Sequence, residues 1–217
     1  MVGLEAMLPE GGTVLFLGAH CDDVEIGCGG TMLRLREERP DLKLLWATFT
    51  GNDVRRRESL ASAERFLGQG EAARVRFHGF RDGFLPYLGD EVKDAFEALR
   101  REVTPDLVFT HHRLDRHQDH RLVSELTWNT WRDHTIFEYE IPKYDGELGQ
   151  PNCFVSLTPE QVERKSKNLL EVYPSQIGKE WFDADTLRAV LRLRGVECNA
   201  PGRFAEGFHA RKLQIGF

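Results

Sequence analysis

Two stretches of this 217-residue chain concentrate side chains that bind metal and move protons. The first is His20-Cys21-Asp22-Asp23-Val24-Glu25, directly after the apolar run Val14 to Leu17. The second holds His111, His112, Asp115, His117, Asp119 and His120, after the apolar Leu107-Val108-Phe109. One imidazole and several carboxylates crowded at the end of a buried strand are costly unless something offsets their charge. A divalent ion does so. Catalytic zinc takes three protein ligands and keeps one position open. His20 and Asp23 from the first stretch and His120 from the second make up such a set. Iron(II) suits the same donors, because such sites discriminate little by affinity. The leftover groups then have tasks. Zinc lowers the pKa of its water towards ~7. Asp22 is adjacent to Asp23 and cannot easily point the same way, so it is the candidate base. His117 is the candidate acid and oxyanion partner. Asp119 is placed to orient that imidazole and favour its charged form.

For these groups to meet, the chain must bring two strand ends together. Apolar strand patterns at residues 13–19, 43–50, 74–77, 106–110 and 135–140 alternate with helical patterns at 31–39, 60–67, 91–103 and 119–131. Asp53 is a plausible N-cap of the second helix. Such alternation predicts a mostly parallel sheet with helices on both faces. Parallel strands share one C-terminal edge, where ligands bind in open α/β sheets. Further on, 152–157 reads as a strand, 159–170 and 184–194 as helices, and 204–213 as a closing strand or irregular segment. No repeat, low-complexity stretch or linker marks a second domain, so residues 1–217 are expected to form one.

Composition removes other classes. A 41% hydrophobic content supports a core, and the formal charge of −6 argues against nucleic acid as a bulk partner. No apolar run approaches the ~20 residues of a membrane span. Residues 1–12 lack the basic start and apolar core of a secretory leader. Four cysteines without CxxC spacing predict neither a zinc finger nor disulfides, and a cytoplasmic location. A homo-oligomer is left open.

The motif Ala19-His20-Cys21-Asp22-Asp23, followed by Glu25 and Gly27-Cys28-Gly29-Gly30, resembles the signature of the PIG-L/LmbE-like zinc-dependent de-N-acetylases. His117-Gln118-Asp119-His120 is similar to that family's second motif. The resemblance implies a Rossmann-like three-layer sandwich and removal of acetyl from an N-acetylglucosamine-type sugar on a small glycoside, nucleotide or lipid-linked conjugate. It implies zinc on His20, Asp23 and His120, Asp22 as base and His117 as acid or oxyanion partner. Arg56 resembles a pocket-lining arginine, and Asp82, in Phe80-Arg81-Asp82-Gly83, an aspartate that contacts sugar hydroxyls. Ala205-Glu206-Gly207-Phe208 resembles a C-terminal element of the family. Cys21 and Gln118 stand where prolines are commoner, and Asp115 where some relatives carry tyrosine. Two alternatives stay open: an amidase for another N-acyl or thiol-glycoside conjugate, and a metal-loaded sugar-binding module without turnover.

Other features read as structural. His78, His112 and His134 are expected to be ordinary satisfied side chains, and His111 is undecided. Gly27, Gly29 and Gly30 miss the GxGxxG spacing, and the negative cluster before them would repel a pyrophosphate. Cys21 reads as a small buried spacer. Trp46, Trp128, Trp131 and Trp181 read as packing. Trp181 and Phe182, in a loop, are the best stacking candidates, and residues 139–144 are expected to border the pocket.

Overall fold

The computed structural model describes residues 7–213, so the expectation of no leader in residues 1–12 falls partly outside it. The strands are β1 (Thr13–Gly18), β2 (Lys43–Thr50), β3 (Val75–Phe80), β4 (Leu107–His111), β5 (Thr135–Tyr139), β6 (Cys153–Leu157) and β7 (Phe204–Ala210). The helices are α1 (Asp23–Glu38), α2 (Asp53–Phe66), α3 (Gly89–Glu102), α4 (Gln118–Thr130), α5 (Pro159–Val172) and α6 (Ala184–Glu197). One sheet runs in the order β3-β2-β1-β4-β5-β7-β6. The first five strands are parallel, and β7 pairs antiparallel to both β5 and β6.

The central strands are apolar throughout because both faces are covered. Phe16, Trp46 and Phe109 pack beneath α1, α2, α5 and α6. Leu15, Leu17 and Phe49 pack beneath α3 and α4. This is the expected three-layer α/β sandwich. Among the described residues no helix is long and apolar enough to cross a membrane.

The largest departure from expectation is α1. The sequence reads as a glycine loop up to residue 30, yet the helix already starts at Asp23. Its first three turns are buried on every side, from Asp23 to Leu33. A helix so enclosed needs glycine where neighbours approach its axis, and this overrides glycine's poor helix propensity. A Cβ on Gly27 would lie 2.3 Å from the Tyr139 ring, and one on Gly30 would lie 2.4 Å from Leu157. The glycines are packing devices, not a phosphate loop. Buried charge also enters this helix. Glu206 of β7 accepts from the Gly30 and Thr31 amides at 2.7 Å. Lys165 of α5 donates to the Ile26 carbonyl at 2.6 Å and to Glu206 at 2.7 Å. Ile26 C=O and Gly30 N–H, ordinarily partners one turn apart, are thus each met by a charged side chain.

Glu25 faces the interior from the same helix. Its Oε1 accepts hydrogen bonds from Ser62 of α2 and from Tyr173, while Oε2 is buried without a partner among the described residues. Burial, only partly opposed by those bonds, pushes its carboxyl up to about 8. The group is therefore neutral when folded at pH 7.

Two outcomes follow for stability. Tyr139 cannot step aside easily, because its hydroxyl donates to Leu17 O at 2.6 Å. Gly27→Ala is expected to cost about 2–3 kcal/mol, at the upper end of overpacking penalties, or roughly 4–12 °C in melting temperature. Gly89→Ala, where an added Cβ meets nothing within 4 Å, serves as the control. Equal melting of Gly27→Ala and wild type would contradict the packing account. For Glu25, the unfolded chain releases its proton near pH ~4.3 and the folded chain near 8. Between these values the folded state holds more protons, so stability falls as pH rises. Glu25→Gln keeps an acceptor for Ser62 and Tyr173 without the charge. Its melting temperature should gain on wild type progressively from pH 5 to pH 8, and parallel curves would refute the assignment.

Candidate active site

β1 and β4 are adjacent and parallel, with Val14 opposite Leu107 and Phe16 opposite Phe109. Their covering helices lie on opposite faces of the sheet, so a crevice opens between the two strand ends. The loops leaving those ends bring the predicted donors together. His20 Nδ1 lies 3.0 Å from His120 Nε2 and 3.2 Å from Asp23 Oδ2. His120 Nε2 lies 3.4 Å from Asp23 Oδ1. Atoms bound to one tetrahedral ion at ~2.0–2.1 Å stand roughly 3.3–3.4 Å apart, so the spacing fits a shared ion.

The electrostatics agree. Burial alone would push His20 down, but Asp23, with Asp119 and Asp82 beyond it, raises it well above its ordinary value. His120 is likewise raised by Asp23 and Asp115 against its burial. Asp23, despite complete burial, is held well below the usual carboxylate range, chiefly by His120 and His20. The two imidazoles and the carboxylate thus form a buried cluster that favours added positive charge.

Neighbouring groups fix the rings. Asp115 Oδ2 lies 2.9 Å from His120 Nδ1 and accepts from Lys143 at 2.8 Å. That contact leaves the Nε2 lone pair of His120 facing His20 and Asp23, as an outer carboxylate does for a metal-bound histidine. Although burial opposes it, the His120 and Lys143 contacts hold Asp115 well below the usual range. His111 stacks on His120 with centroids 3.9 Å apart. Donor atoms of Asp23, His111 and His120 share one 4.8 Å cluster, as do those of His20, His117 and His120. The Nε2 of His111 already accepts from the Ala19 amide at 2.9 Å, and burial with the nearby His120 pushes the ring down to about 4. His111 therefore supports the site as a neutral ring.

The other expected residues divide. Asp22 lines the cavity and is almost fully buried; Arg55 holds its Oδ1 at 2.8 Å, and its Oδ2 has no partner among the described residues. His117 also lines the cavity, as the residue that caps α4. Its Nδ1 accepts from the Asp119 amide at 3.2 Å, so the ring's proton sits on Nε2. Burial and the neighbouring His20 and His120 lower its pKa. The Asp119 carboxylate does not orient His117. It accepts from the Gly83 and Leu85 amides at 2.7 and 3.1 Å and stands 3.4 Å from His20 Nε2. It thereby ties the β3–α3 loop to the site and sets Asp82 Oδ1 3.1 Å from His20 Nε2.

Arg56 corrects an expectation. It is exposed and reaches over Phe77, while Arg55 faces the cavity, because one residue along a helix turns the side chain by roughly 100°. The α2 cap is Asn52 rather than Asp53, its side chain accepting from the Val54 and Arg55 amides at 3.0 Å. The cavity holds about 620 Å³. Ile141, Lys143, Tyr144 and Trp181 form part of its wall, whereas Phe182 is buried against the core. Cys21 is buried, its thiol pushed up by that burial. Sequence reasoning missed the parts played by Arg55, Asp115 and Lys143. Membership of the second cluster could have flagged Asp115. Nothing local flags Lys143, which is 28 residues away from it.

Comparison with known proteins places this geometry in context. The chain is 30% identical over 139 residues to an uncharacterized deacetylase, YaiS, of Escherichia coli strain K12, covering 59% of this chain and 74% of that protein. The structure resembles N,N'-diacetylchitobiose deacetylase from Pyrococcus horikoshii, with a TM-score of 0.71 and 24% identity over 91% of this chain and 82% of that one. It also resembles GalB, the 4-carboxy-2-hydroxymuconate hydratase of Pseudomonas putida KT2440, with a TM-score of 0.76 and 17% identity over 95% and 98% of the two chains. Those two likenesses speak to the fold. The PIG-L family pattern, described as GlcNAc-PI de-N-acetylase, matches residues 15–131, the span from β1 through α4 that carries both motifs. The chain belongs to the PIG-L de-N-acetylase family.

Proposed function

We propose that this protein is a metal-dependent N-deacetylase. It removes acetyl from an N-acetylglucosamine-type sugar carried on a small glycoside, nucleotide or lipid-linked conjugate. One observation supports this above the rest: the unpartnered, buried Oδ2 of Asp22 belongs to the same cavity as the His20, Asp23 and His120 donors. A divalent ion on those three residues, zinc or iron(II), would supply Lewis acidity and lower the pKa of the attacking water.

Asp22 takes that water's proton on Oδ2 as the oxygen bonds to the acetyl carbon. His117, with its proton on Nε2, donates a hydrogen bond to the oxygen where negative charge develops. A neutral imidazole is the better reading here than the charged acid expected from sequence, because the Asp119 amide occupies Nδ1. Asp22 then returns its proton to the nitrogen as the C–N bond breaks, leaving acetate and the free amine. Asp82, exposed at the cavity, is placed to meet sugar hydroxyls, and half-buried Trp181 to stack on a ring. We assign the whole chain to one domain. Its four cysteines are all unpaired, which favours a reducing compartment such as the cytoplasm.

The test is acetate release from a panel of N-acetylated sugars, nucleotide sugars and glycosides. A chelator should abolish release, and defined zinc or iron(II) should restore it. Asp22→Asn should keep its ion while kcat drops roughly 10³-fold. His117→Ala should drop kcat roughly 10²–10³-fold. Full activity of Asp22→Asn would remove the base assignment. Release only from other N-acyl or thiol-glycoside conjugates would replace the substrate class. Ion binding with no release from any of them would favour a binding module.

A further inference from the structure

Arg55 lies in the first turn of α2, where a cation is disfavoured by the helix dipole. Its guanidinium is nevertheless well buried and held on several sides. Nη2 lies 2.8 Å from Asp22 Oδ1, and Nη1 lies 2.9 Å from Glu58 Oε2 and 3.2 Å from Ser175 Oγ. The guanidinium Cζ lies over the Tyr173 ring, 4.9 Å from the centroid. Glu58 is fixed in turn. Its two oxygens accept from the Ser175 amide at 3.0 Å and hydroxyl at 2.7 Å, in the 3-10 turn Pro174–Gln176. The Tyr173 hydroxyl lies between Glu25 and the Cys21 carbonyl, one residue before Asp22, its single proton shared between the two.

This arrangement divides the labour of the Asp22 carboxylate. One oxygen is occupied by a charge-assisted bond and the other, buried beside the cavity, has no partner among the described residues. We infer that Arg55 is the positioning residue of Asp22: it fixes the carboxylate so that Oδ2 alone is presented for proton transfer. The Pro174–Gln176 turn, through Ser175 and Glu58, fixes Arg55 itself. The inference rests on the reading of Asp22 as the base. A contact to substrate would ask less of Arg55. It would need the guanidinium free to meet a sugar, whereas Nη2 is taken by Asp22 and Nη1 by Glu58 and Ser175.

The experiment is a double-mutant cycle on the metal-loaded enzyme, with kcat and KM measured separately alongside metal content and melting temperature. Arg55→Ala is expected to lower kcat roughly 30–100-fold, as misplacement of a catalytic group does, with KM and metal content near wild type. Added guanidinium ion should recover part of the lost kcat. In the Asp22→Asn background the same substitution should have little further effect on kcat, because its route of action is already gone. Arg55→Lys, which keeps the charge without the fork, should show the same pattern at a smaller amplitude, and it serves if Arg55→Ala does not fold. A rise in KM at constant kcat, losses that multiply in the double variant, or loss of the ion in Arg55→Ala would each overturn the inference. Full activity of Asp22→Asn is a different outcome: it removes the base itself, whatever Arg55 does.

Discussion

A buried carboxylate among three imidazoles is the constraint on which the structure turns. Asp23 is almost fully withdrawn from solvent, with His20, His111 and His120 all within 3.4 Å of it. Such a charge is tolerable only if its surroundings are rigid. The protein supplies that rigidity from three directions. Asp23 opens α1, where the helix dipole favours an anion and the His20 amide donates to its Oδ2 at 2.6 Å. The parallel pairing of β1 with β4 delivers His111 and the loop to His120. Deep burial of α1 prevents the helix start from drifting, and this is the use of glycines at its crowded contacts.

The same constraint explains which parts of the chain could be read without a structure. Central parallel strands are continuous apolar runs, and charged clusters at their ends stand out against them. The sheet and the His20, Asp23 and His120 convergence were therefore legible, and β2 falls on the residues expected. What was hidden depends on contacts distant in sequence or on side-chain direction. The early start of α1 requires knowing that Tyr139 and Leu157 press on Gly27 and Gly30. The insertion of β7 between β5 and β6 follows from antiparallel pairings of 204–210 with both neighbours, which no local pattern encodes. The choice between Arg55 and Arg56 is a matter of helical phase. Asp115 and Asp119 are both aspartates in one motif, yet the first steadies His120 and the second reaches the β3–α3 loop and His20.

The buried pair Lys165 and Glu206 shows how the C-terminal half serves the N-terminal one. Both residues lie outside the span that matches the family, and both end on the backbone of α1. A buried ion pair is a poor source of net stability, because desolvation offsets its attraction. Its value lies in specification: it meets a carbonyl and an amide inside the helix that carries Asp23, and so fixes where α5 and β7 dock. Tyr173 and Ser175 extend the same logic to the loop after β1, the first through the Cys21 carbonyl and the second through Glu58 and Arg55.

This division of the chain separates chemistry from choice of substrate. The fold does not decide the reaction, since a hydratase and a deacetylase share it. Every proposed ion ligand and proton carrier lies between β1 and α4. The far wall of the cavity comes from residues 141–145 and 175–181, beyond the family match. These segments are loops and turns, which accept changes in length and sequence more readily than the strands beneath them. A lineage can therefore retune Tyr144, Lys179 or Trp181 without disturbing Asp23. Lys143 is the exception, because it belongs to the same wall but also holds Asp115, and through it the His120 ring. Specificity in this protein is free to vary around Lys143, and only at a cost to the placement of the His120 ring can it vary through it.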